Sequence, residues 1–106
     1  MTEETIVDVL SYKIFHENLN TVFNIVLPSD VRAGLTLSAI SANIVSSVQE
    51  RFSITLTGPA NPFFPQALYK FEHEKMGEFE MFIVPVGQDQ GGFIYEAVFN
   101  RLIKNQ

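Results

Sequence analysis

The chain has 106 residues, of which 46% are hydrophobic and only 18% charged, with no cysteine and a net charge of −5 at pH 7. That length suits one domain with one core, spanning residues 1–106, and the absence of cysteine excludes a disulfide framework, a cysteine nucleophile and a thiolate metal site. The seven basic residues (Lys13, Arg32, Arg51, Lys70, Lys75, Arg101 and Lys104) are scattered, so no stripe can track a phosphate backbone and nucleic-acid binding is disfavoured.

The opening Met1-Thr2-Glu3-Glu4 is acidic where a signal peptide would be basic, and no apolar run approaches the ~18 residues of a membrane span. The expectation is a cytoplasmic protein. A low charged fraction also leaves less polar covering for the surface than the usual ~25% would, so some apolar surface is expected to be exposed or paired with a partner.

Thr5-Ile6-Val7-Asp8 has the spacing of an N-cap followed by an acid, and Ile6, Leu10 and Ile14 form one stripe of a helix. The spacing predicts one amphipathic helix within residues 6–17, with Ser11 as an alternative start. Asn20–Leu27 is β-branched and apolar, and Pro28-Ser29-Asp30 ends it. Leu35–Val45 follows Gly34; its Thr36, Ser38, Ser41 and Asn43 favour strand over helix. Ser46–Arg51 reads as a polar connection.

From residue 52 onward, alternation dominates. Phe52, Ile54 and Leu56 form one apolar row, Tyr69, Phe71 and His73 a second, Phe79, Met81 and Ile83 a third, and Tyr95, Ala97 and Phe99 a fourth. Turn residues punctuate these rows at Gly58-Pro59, Lys75-Met76-Gly77 and Gly87–Gly92. A three-residue loop at Lys75-Met76-Gly77, with Gly77 left-handed, sets Phe71 against Met81 and His73 against Phe79. It also opposes Glu74 to Glu78 and Glu72 to Glu80. A five-residue connection, Gly87–Gly91, then sets Ile83 against Tyr95, Met81 against Ala97 and Phe79 against Phe99. All large apolar side chains fall on one face in this register.

Four features could carry function. Glu72, Glu74, Glu78 and Glu80 share the hairpin tip, as a weak cation site, a patch for a basic partner or a merely solvated edge. His73 lies in the inward row without an acid or nucleophile placed by the sequence. It reads as a structural, hydrogen-bonded histidine before a catalytic one, and no catalytic residue, metal set or cofactor is assigned. The segment Gly58–Gln66 holds three prolines around Phe63 and Phe64. Both rings in the core is the plain expectation, one ring exposed as a partner anchor the functional one. Finally, Phe82 and Val84 point outward on a strand that is apolar on both faces, near Leu68, Ile94 and Val98. Either the N-terminal helix covers this patch, or it is an interface. The loop Gly87–Gly92 lacks the lysine and helix of a phosphate loop.

The runs Phe52–Pro59, Tyr69–Glu74, Phe82–Gly87 and Tyr95-Glu96-Ala97-Val98-Phe99-Asn100 resemble a family of small bacterial proteins of unknown function. The resemblance implies a short helix followed by strands, transfers no activity to any residue, and points to relatives that accompany phage-tail-collar-like proteins. The combined reading is a mainly β domain: six antiparallel strands, as a strongly bent sheet or small barrel, with one short N-terminal helix. The expected function is a non-enzymatic interaction or assembly module that meets a protein partner or a second copy of itself. The alternatives are a barrel that binds a small apolar ligand and an enzyme built on His73 and its glutamates.

Overall fold

Ser11 starts the first described element. In the computed structural model, which describes residues 10–102, its Oγ accepts the N–H of Ile14 at 3.3 Å, and helix α1 runs Tyr12–Glu17. This is the alternative start read from the sequence. Thr5 and Ile6, the earlier cap and first stripe position, lie outside the described residues. At the other end, Asn18 turns its side-chain amide back to the Ile14 carbonyl at 2.8 Å and stops the helix.

Seven strands follow among the described residues: β1 (Val22–Val26), β2 (Arg32–Ile40), β3 (Ile44–Val45), β4 (Gln49–Pro59), β5 (Ala67–His73), β6 (Gly77–Asp89) and β7 (Gly92–Leu102). All pairings are antiparallel, in the order β2-β1-β5-β6-β7-β4, and β4 returns to β2 through Thr36↔Thr57 to Ile40↔Ile54. The result is a closed six-stranded barrel. The two-residue β3 is an appendage on β4. Ser46–Arg51 is therefore not a simple connection: β4 begins at Gln49, and Glu50 is buried. Alternation could not show this, because the inward residue at position 50 is charged.

Closure removes the sheet edges within the ring and requires sharp bends. Register shifts supply them between Leu37 and Ala39 on β2 and between Pro85 and Gly87 on β6. Pro85 lies beyond the last β5 rung, Ala67↔Ile83, where β6 pairs only with β7 and a missing N–H is tolerated. Gly92 is required by packing. A Cβ there would sit 2.0 Å from the Gly58 carbonyl oxygen, and its φ of 154° is unfavourable for other residues.

The inward rows match the expected faces. Phe52, Ile54, Leu56, Phe71, Met81, Ile83, Tyr95 and Ala97 are buried, joined by Phe23, Ile25, Leu35 and Leu37 from β1 and β2. The registers do not match. β5 and β6 pair as Phe71↔Phe79, His73↔Gly77 and Tyr69↔Met81, two residues from the expected Phe71–Met81 and His73–Phe79. The loop is Glu74-Lys75-Met76, and Gly77 does hold a positive φ of 79°. β6 and β7 pair as Val84↔Glu96 and Pro85↔Tyr95 and join through a two-residue turn at Gln90-Gly91. The expected five-residue connection and Ile83–Tyr95 pairing are thus also displaced. A shift by two preserves every face, so the face criterion that selected the expected registers could not separate them from the true ones.

Candidate functional site

At one mouth of the barrel, α1 lies across the opening and inserts Phe15. This ring is fully buried and meets Phe23, Phe52, Phe79 and Phe99 at centroid distances of 5.1–6.4 Å. Glu50 secures the helix there. Its carboxylate accepts from the Tyr12 N–H (2.9 Å), Arg101 Nε (2.9 Å) and Asn43 Nδ2 (3.2 Å). Burial pushes its pKa up, but these three donors outweigh burial and hold it below the usual carboxylate value. The sequence reading missed both Glu50 and Arg101. The available signal was an acid in an inward position two residues before the Phe52 row.

His73 sits beside this plug, almost fully buried, with its ring 4.3 Å from that of Phe23. Its Nδ1 accepts the N–H groups of Lys75 (3.0 Å) and Met76 (3.2 Å). Nε2 lies 2.8 Å from the Thr21 hydroxyl, which itself donates to the Asn18 carbonyl at 2.6 Å. The pattern defines a neutral ring that carries its hydrogen on Nε2. Burial, assisted by Lys75 and opposed by Glu74, lowers the pKa from its ordinary value. Shallow clefts flank the ring, lined by Asn18, Thr21, Asn24, Glu72, Glu74 and Glu78 among others. Among the described residues no carboxylate hydrogen-bonds to the imidazole, and both ring nitrogens are engaged.

The four glutamates do not form the expected constellation. Glu72 opposes Glu78, Lys70 opposes Glu80, and Glu74 lies in the turn. Arg32 meets Glu72 through two bonds of 2.7 and 3.0 Å and also holds Asp30. That pairing holds the Glu72 carboxyl below its ordinary pKa. Lys70 lies 3.5 Å from Glu78. Among the described residues, no group of three or more His, Asp or Glu side chains is placed to hold a metal ion.

At the opposite mouth, Phe63 and Phe64 part company, so the expectation that both tuck into the core is corrected. Phe64 is buried, and its N–H donates to the Tyr95 hydroxyl at 3.1 Å. Phe63 remains 46% exposed, resting on Phe93 at 4.7 Å. Adjacent residues in an extended segment face opposite ways, so one ring closes the mouth and its neighbour must look outward.

The outer wall carries exposed apolar side chains from three neighbouring strands. Leu68 and Phe82 are directly opposed on β5 and β6 and are 59% and 49% exposed; Val98 on β7 is 68% exposed. Val84 and Ile94 are half-buried, opposite Glu96 and Gly87. The described helix does not cover this wall, because Phe15, Tyr12 and Ile14 pack against the core at the barrel mouth. A second exposed group was not anticipated: Ile44, Val45 and Val48 around β3, and Leu102 at the end of β7.

No helix among the described residues is long and apolar enough to cross a membrane. Neither the curated proteins nor the solved structures contain a match to this chain. A family model described as a domain of unknown function (DUF6916) matches residues 10–99, and the chain belongs to that family.

Proposed function

We propose that this domain is a non-enzymatic interaction or assembly module that meets a protein partner, or a second copy of itself, through the outer wall of β5, β6 and β7. The observation that carries the reading is the opposed pair Leu68 and Phe82 with Val98 on the next strand, all large, apolar and uncovered by the described helix. Val84 and Ile94 extend the patch, and Phe63 offers a separate anchor at the barrel mouth. Burying such surface contributes about 25 cal/mol per Å² before the entropic cost of association.

The alternatives have weaker support. An apolar ligand inside the barrel would have to displace side chains that already fill it, Phe15, Phe71, Met81 and Tyr95 among them. Catalysis by His73 would require a nitrogen that the fold does not leave spare. The Tyr95–Asn100 run supports a bacterial lineage through its resemblance alone.

Phe82→Lys tests the reading. The substitution replaces an outward ring, so the far-UV circular dichroism spectrum should be unchanged while light scattering reports a lower mass, or a co-purifying partner is lost. A wild type that is monomeric at every concentration, and whose thermal stability falls on Phe82→Lys, overturns it.

A further inference from the structure

Three segments converge on His73. The β5–β6 turn donates two N–H groups to Nδ1. The start of β1 receives Nε2–H through the Thr21 hydroxyl. That hydroxyl holds the carbonyl of Asn18, whose side-chain amide and backbone N–H both return to α1, at Ile14 and Phe15. The end of α1 is thereby tied to the turn through a single imidazole. The same helix carries Phe15, the plug of the barrel mouth, and the same turn carries Met76, which is packed in the core.

We propose that His73 is an acid-sensitive latch: protonation of its ring releases the β5–β6 turn and loosens the α1 plug from the barrel mouth. The reason is stereochemical. Nδ1 must accept, and a protonated imidazole has no acceptor. A hydrogen on Nδ1 would face the Lys75 and Met76 N–H groups, so the ring or the turn has to move. The surroundings do not compensate. Glu74 favours the cation but Lys75, the next residue, opposes it. Glu72 and Glu78, on the adjoining cleft, are engaged by Arg32 and Lys70. The α1–β1 connection and β1 present Asn18, Thr21, Val22 and Asn24, none of them charged. The Phe23 ring can stabilise a nearby cation in part, but it cannot restore the lost acceptor.

The sign follows from the burial that lowers the His73 pKa. Between the folded value and the ordinary 6.5, the unfolded or unlatched chain binds more protons than the latched one. The latch is fully closed above the ordinary value and is lost as pH falls through the folded value.

The test follows the His73 ring by NMR from pH 7.5 to 5, together with hydrogen-exchange protection of the Phe15, Asn18 and Met76 amides, corrected for intrinsic exchange. The neutral ring should show its hydrogen on Nε2. Amide protection should fall at least tenfold with the same midpoint as the ring. His73→Asn keeps a side-chain acceptor near the turn without a titrating ring, so its protection should not depend on pH in this range. His16→Gln should behave as wild type. A His73 ring that stays neutral to pH 5, amides that keep their protection while it titrates, or an equal fall in His73→Asn overturns the latch. The wild-type comparison of midpoints decides the question even where the variant does not fold.

Discussion

The two mouths of the barrel face the same problem and close in different ways. Each would expose an apolar interior to water. One is covered by α1, which sends Phe15 among four other phenylalanine rings and whose backbone groups near the two ends bond to the side chains of Glu50, Ser11 and Asn18. The other is covered by the irregular, proline-containing segment between β4 and β5, which has no ladder to satisfy its polar groups. There the barrel provides them: Tyr95 accepts the Phe64 N–H, and Tyr69 donates to the Pro65 carbonyl at 2.6 Å. Both lids use side-chain hydrogen bonds for backbone groups that no ladder satisfies, but only the helical lid places a ring at the centre of an aromatic cluster.

Substitutions can break this contrast. Phe15→Ala should have the largest effect, costing about 3–5 kcal/mol by denaturant unfolding, because it empties the centre of the aromatic cluster. A loss below about 1 kcal/mol would mean that the helix is dispensable to the core. At the other mouth, Tyr95→Phe should cost about 1–3 kcal/mol without creating a cavity, since it strands the buried Phe64 N–H. Tyr69→Phe, measured alongside, should cost less, because its bond to Pro65 is exposed and water can replace the hydroxyl. Equal losses for the two tyrosines would remove the distinction between a buried and a solvated tie. The smallest effect belongs to Phe63→Ala, about 1 kcal/mol or less, because nearly half of that ring is already in water. A larger loss would place Phe63 with the lid itself and remove it as a candidate anchor.

Much of the candidate surface was legible beforehand because outward position follows from alternation. Once Phe79, Met81 and Ile83 are inward, Phe82 must be outward, and it is. The partners of His73 were not legible. Thr21 is 52 residues away, and its hydroxyl reaches Nε2 only because β1 pairs with β5 at Asn24↔Glu72. The Glu50 anchor was hidden for a similar reason: its donors come from α1, β7 and the segment before β3.

The sequence by itself determined the mainly β class, the short helix, the inward and outward face of each strand from β4 onward, and the left-handed Gly77. These are local properties, set by side-chain period and backbone sterics within a few residues. Only the tertiary structure decided that the sheet closes, which of two registers each hairpin takes, and which mouth each lid covers. A displacement of two residues leaves every face unchanged, so alternation carries no information on it. The choice falls to the turn, where His73 Nδ1 gathers the Lys75 and Met76 N–H groups, and to the bulge at Val86, which resets β6 against β7.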